Sequence, residues 1–136
     1  MKRSFPYFVL LAFFTLTLGF SQQITCSVED KKAYEDKIIE VDDLLEKDFG
    51  KTIVAVGKTF LGTPYVAKTL EIGEIETLVV NLQGLDCTTY VENVLAFSLL
   101  LREGKSDFDA FTNNLETIRY KNGKLDGYAS RLHYFS

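Results

Sequence analysis

Apolar residues fall in blocks along this chain, and the spacing within each block predicts an element. From Ser27 to Lys47, Tyr34, Ile38, Val41 and Leu45 recur at steps of three and four, which places them on one face of a helix. Ser27 with Asp30 approximates a capping box at its start, and Gly50 is the expected stop. Lys51 to Leu61 reads as a second, shorter helix ended by Gly62 and Pro64. Leu70 to Leu82 contains the β-branched run Leu78-Val79-Val80, read as a strand, with Gly73 in a loop before it and Gly84 breaking it. Asp86 then caps a long helix to about Arg102, with Val91, Val94, Leu95, Ser98 and Leu99 on or near its inner face. Leu99-Leu100-Leu101 makes the end of that helix apolar most of the way round, the mark of a central, buried helix. Gly104 stops it, and Ser106 caps a fourth helix, with Asp109 as partial capping box and Phe108, Phe111, Leu115 and Ile118 facing inward.

Beyond these elements, Asn122-Gly123 is a turn signal, and Tyr128 to Ser136 is aromatic-rich, a strand or a packed loop. Four helices with one or two unpaired strands make an incomplete set, because an isolated strand leaves its backbone groups unsatisfied. The last residues, Leu132-His133-Tyr134-Phe135-Ser136, form no polar tail. The expectation is a chain that stops part-way through its domain; the alternative is a helical domain with a flexible end.

The first block is of another kind. Met1-Lys2-Arg3-Ser4 is basic, Phe5 to Phe20 carries no charge, and Gly19-Phe20-Ser21 puts small residues at the positions a signal peptidase reads. That order predicts a secretory signal over 1–21. The uncharged run is 16 residues long and contains Pro6, short of the roughly 20 that span a membrane, so stable insertion after cleavage is not expected. A lipoprotein reading would use Cys26, but Ile24 and Thr25 are not small. The expected location is therefore the periplasm or the exterior.

Without the signal, 13 basic residues face 19 acidic ones, with no basic cluster. This argues against nucleic acid as a partner. The two cysteines, Cys26 and Cys87, leave a disulfide open in an exported protein.

Cys87 has the more informative context, Gly84-Leu85-Asp86-Cys87-Thr88-Thr89-Tyr90-Val91-Glu92. It falls in the first turn of an apolar helix, directly after the capping aspartate. Unpaired N–H groups and the positive end of the helix dipole favour a thiolate there, which a nucleophile needs and a structural cysteine does not. Apolar helices also carry cysteines as small core residues, and Asp86 is in any case a good N-cap. Glu92, five residues on, reads as structural or solvated; Thr89 and Asn93 have no assigned role.

Gly62-Thr63-Pro64-Tyr65 followed by Asp86-Cys87-Thr88-Thr89 resembles the papain-like, NlpC-type cysteine hydrolases of the bacterial cell wall. Leu85-Asp86-Cys87-Thr88-Thr89-Tyr90-Val91-Glu92-Asn93, Ile118-Arg119-Tyr120 and Tyr128 to Phe135 are similar to their N-acetylmuramoyl-L-alanine amidase-like family. The resemblance runs from about Lys51 to the end. It implies an α+β papain-like fold, with residues 22–50 as an N-terminal helix and 51–136 as the helical N-terminal lobe, most of the β-rich C-terminal half being absent.

For function, the resemblance implies that Cys87 attacks an amide carbonyl of peptidoglycan or a muropeptide, forming a thioester that water hydrolyses. Tyr65, Asp86 and Thr88 would line the substrate side, and the Cys87 N–H would help form the oxyanion hole. No cofactor is implied, and no metal: one histidine and two distant cysteines do not make a zinc site. His133 is the single histidine and the one candidate base within the chain, whereas in the resembled family the base is a histidine further along. Two rival classes stand beside the amidase: an exported peptidoglycan-binding or structural module, and a helical domain closed by a Cys26–Cys87 disulfide.

Overall fold

The structure is a computed structural model and describes residues 23–132. The expected signal peptide and His133 lie outside the described residues.

The elements run β1 (Ile24–Cys26), α1 (Val28–Val41), α2 (Phe49–Lys58), β2 (Leu78–Val80), α3 (Cys87–Glu103) and α4 (Phe108–Arg119), with two single-turn 3₁₀ segments at Lys121–Gly123 and Tyr128–Ser130. The α3 helix is the central one. It packs against both α2 and α4, with α1 on the same core. Tyr34, Phe60, Phe97 and Phe111 form an aromatic centre; the Phe97 and Phe111 rings lie 4.6 Å apart and Tyr34 is 5.1 Å from Phe111. Such pairs add about 0.5–1.5 kcal/mol each beyond their area burial.

Several expectations need correction, each for a local reason. The strand at Leu78–Val80 is not unpaired: it pairs in parallel with Ile24–Cys26, in the register Ile24–Leu78, Thr25–Val79, Cys26–Val80. The chain before Ser27 is thus part of the fold, and its three half-buried residues were too short a run to show a period. Helix α1 stops at Val41 instead of Lys47. Asp42 and Asp43 follow directly, and acidic groups at a helix C-terminus oppose its dipole. Leu44 then turns back onto the core while Leu45 stays exposed. Gly50 is not a stop but lies in the first turn of α2, where its N–H donates to the Asp48 side chain at 2.9 Å. Asp107, not Ser106, caps α4 by accepting from the Ala110 N–H at 2.8 Å; the Ser106 carbonyl instead accepts from the Tyr34 hydroxyl.

The expected ends of α3 hold. Asp86 is its N-cap, and Gly104 closes it at φ 64° in a left-handed conformation suited to glycine. Its buried face differs from the one expected, since Val91 is exposed whereas Glu92, Asn93, Ala96 and Phe97 are buried. Along 128–132 the chain is neither a full strand nor an unattached tail. After the 3₁₀ turn, Arg131 bridges Tyr120 in antiparallel fashion, and the Leu132 N–H donates to the Arg119 carbonyl at 2.8 Å.

Candidate functional site

Cys87 is the first residue of α3 and its side chain is exposed. Its position is fixed by the cap before it. The Asp86 carboxylate accepts from the Thr89 N–H at 2.8 Å and from the Thr89 hydroxyl at 2.9 Å, while Thr89 Oγ1 accepts from the Asp86 N–H at 2.9 Å. This reciprocal box gives the buried Thr89 a definite role that the sequence had left unassigned. Both cap contacts to Asp86 use Oδ1; among the described residues Oδ2 takes no hydrogen bond. At a helix start the N–H groups of Cys87 and Thr88 have no intrahelical partner, and they remain available to a ligand oxygen.

The Gly62-Thr63-Pro64-Tyr65 segment lies against this helix start. Tyr65 bridges Leu85 in parallel, the Leu85 N–H donates to the Pro64 carbonyl at 3.0 Å, and the Val66 N–H donates to the Leu85 carbonyl at 3.1 Å. Two segments 20 residues apart in sequence are thereby stitched together two residues before the cysteine. Tyr65 is 73% exposed, so it is not the core aromatic that a tyrosine beside a turn often is.

Asp86 and Thr88, on either side of Cys87, line a cavity of about 160 Å³ with Lys68, Glu71, Glu92 and Arg131. Cys87 itself does not line it. Three of the four predicted site residues in the described region therefore meet at one place, Asp86, Cys87 and Thr88 at the helix start, with Tyr65 on the strand-like segment bonded beside them. Cys26 and Cys87 are both free thiols, which removes the disulfide-closed alternative. Burial and then the nearby Asp30 push the Cys26 thiol up.

The charges beneath the cavity were not foreseen. Glu92 is 1% exposed and pairs with the equally buried Arg119, whose Nε donates to Oε2 at 2.8 Å. A second Arg119 nitrogen donates to the Val79 carbonyl at 2.6 Å. Of the two readings of Glu92, the structural one holds and the solvated one does not. Burial raises its pKa, and the Arg119 charge and hydrogen bond oppose that rise without cancelling it. Nearby, Arg131 Nε and a terminal nitrogen donate to both oxygens of Glu76, at 2.8 and 2.6 Å. The Tyr120 hydroxyl adds a third donor to Glu76 at 2.8 Å. Burial alone would raise the Glu76 pKa, but the hydrogen bonds from Arg131 and Tyr120 outweigh it and hold the carboxyl below its ordinary value. Among the described residues, no group of three or more His, Cys, Asp and Glu is placed to hold a metal ion, and no helix is long and apolar enough to cross a membrane.

The family model for N-acetylmuramoyl-L-alanine amidase-like (AmiA-like) proteins matches residues 55–136. The chain belongs to this family. The matched span contains Tyr65, Asp86, Cys87 and Thr88 as well as both buried arginines. Among solved structures, an N-acetylmuramoyl-L-alanine amidase from Bacteroides uniformis is similar at a TM-score of 0.59 and 50% identity, over 63% of this chain and 35% of that one. A second crystal structure of an N-acetylmuramoyl-L-alanine amidase from the same organism aligns at a TM-score of 0.57 and 48% identity, over 63% and 36% of the two chains. The amidase-like chain thus spans about a third of the length of these proteins. No curated protein matches it closely enough to add a further relative.

Proposed function

We propose that this chain carries the nucleophile lobe of a papain-like cysteine amidase, of the NlpC type, that hydrolyses an amide bond in peptidoglycan. The supporting observation is the exposed Cys87 at the first position of α3, between two cavity-lining residues. In this reading Cys87 Sγ bonds to the amide carbonyl carbon, the C–N bond breaks, and the amine leaves with the proton originally on the thiol. Water then cleaves the thioester, releasing a carboxylic acid and restoring the thiol. The oxygen charge that develops on the carbonyl falls to the N–H groups at the helix start. Tyr65, Asp86 Oδ2 and Thr88 contact the substrate.

The one histidine of the given sequence, His133, is the candidate proton acceptor within it; in the resembled amidases that role belongs to a histidine further along. The bond cut is the N-acetylmuramoyl–L-alanine amide or one within the stem peptide, and the site of action is outside the cytoplasm, following the signal-like residues 1–21.

The test is release of free amino groups from purified muropeptides. Cys87→Ala is expected to abolish it, and His133→Ala to abolish it too if the base is internal. A wild-type protein that binds peptidoglycan without releasing amino groups would make this a binding module and sink the amidase reading.

A further inference from the structure

Two irregular segments form walls of the cavity beside Cys87, and one ion pair joins them. The first is the loop from Lys68 to Glu76; Lys68, Leu70 and Glu71 line the cavity, and residues 71–75 are exposed, including Ile75 at 72%. The second is 128–132, which contributes Arg131 and Leu132. It buries little apolar surface: Tyr128, Ala129 and Leu132 are all exposed. Hydrophobic packing therefore does little to hold either wall. Arg131 and Glu76 close the gap between them with two hydrogen bonds, and their side chains are 9% and 6% exposed. The pair is anchored to the body of the fold by the Tyr120 hydroxyl on Glu76 and by the Tyr120–Arg131 bridge. The next backbone contact, Leu132 N–H to the Arg119 carbonyl, leads through the Arg119–Glu92 pair to α3 itself.

Resting on the amidase reading above, we propose that Arg131 is a positioning residue: by locking one loop wall to the other through Glu76, it sets where an acyl group lies relative to Cys87. A planar, bidentate guanidinium–carboxylate pair fixes orientation as well as distance, which a single apolar contact would not do. Lysine is a point charge without that fork and is expected to substitute poorly.

The experiment compares two alkylating agents on the full chain. Iodoacetamide reports thiol chemistry alone; an N-acylated alanyl chloromethyl ketone must also be held by the walls. Arg131→Met and Glu76→Gln are each measured beside Arg131→Lys and the charge swap Glu76→Arg/Arg131→Glu, with thermal melts for every variant. The maximal rate with the peptidyl reagent is expected to fall ~10- to 100-fold in Arg131→Met, the scale of an ångström-sized misplacement. Iodoacetamide rates should stay within about twofold of wild type, since helix-start chemistry is untouched. The swap is expected to recover most of the peptidyl rate. A peptidyl rate equal to wild type in a folded Arg131→Met or Glu76→Gln protein would overturn the proposal. So would equal slowing with both reagents, which is what general destabilisation gives. A wild-type protein that shows no saturable reaction with the peptidyl reagent would overturn the nucleophile reading itself, and this inference with it.

Discussion

Glu76 and Glu92 are identical side chains in opposite circumstances. Glu76 receives three donors, and its carboxyl is held below its ordinary value; Glu92 receives one, and burial carries it above. For Glu76 the folded pKa lies below the unfolded one. Its stabilising contribution is therefore complete above the unfolded value, about 4.3, and is lost as pH falls through the folded value. Glu76→Gln is expected to flatten the acid side of a plot of melting temperature against pH below about 4.3. An unchanged slope would mean that Glu76 is not coupled to folding. Glu92 acts with the other sign: its burial penalty appears as pH rises from the ordinary carboxylate value through its raised one. Arg119→Met leaves that carboxylate buried without its partner and is expected to cost about 3–5 kcal/mol, read by urea unfolding. Replacing Glu92 and Arg119 together with apolar residues of similar size should recover most of this loss, because both desolvation costs then disappear.

Among the elements, α3 does most to define the site, and its ends were the most readable feature of the sequence. Aspartate before the cysteine and a glycine after seventeen residues specify cap and stop by local hydrogen bonding, so no tertiary knowledge was needed for them; the box through Thr89 emerged only in the structure. The tyrosine segment is different. Its place beside Leu85 depends on Gly84, where an added Cβ would sit 2.5 Å from Val66 Cγ2 and 2.9 Å from Val66 Cβ. Gly84→Ala is expected to push Val66 away, loosen the Tyr65–Leu85 bridge and cost roughly 1–3 kcal/mol, as overpacking does. Calorimetry together with quenching of tyrosine fluorescence would check it; an unperturbed melt would show that the segment yields freely. Sequence spacing marked Gly84 as a strand breaker but could not show what approaches it.

At the scale of the whole molecule, the helices and the core positions Tyr34, Phe111 and Leu115 were legible because they repeat at helical steps within single segments, whereas Phe60 and Phe97, the rest of the aromatic centre, were not. The β1–β2 pair and the buried ion pairs were not, because each joins residues far apart in the chain. Arg119 did carry a signal: it continues the inward stripe Phe111, Leu115, Arg119 at four-residue steps, and a charge on that stripe calls for a buried partner. Glu92 supplies it from 27 residues away. The fold is therefore a locally encoded helical set, closed by a few long-range polar contacts that also frame the cysteine.

The strand pair has a further consequence for how the protein tolerates trimming. Leu78–Val80 is a wholly buried, apolar strand whose one partner among the described residues is Ile24–Cys26. A protease that clips the chain just before Ser27 would remove that partner and leave a row of unpaired N–H and carbonyl groups on a hydrophobic edge, which is a template for another chain. A protein beginning at Ser27 is expected to form soluble aggregates or sediment as multimers in light scattering and ultracentrifugation, while one beginning at Gln22 stays monodisperse. The first few residues of the folded region would then serve as the molecule's own guard against self-association.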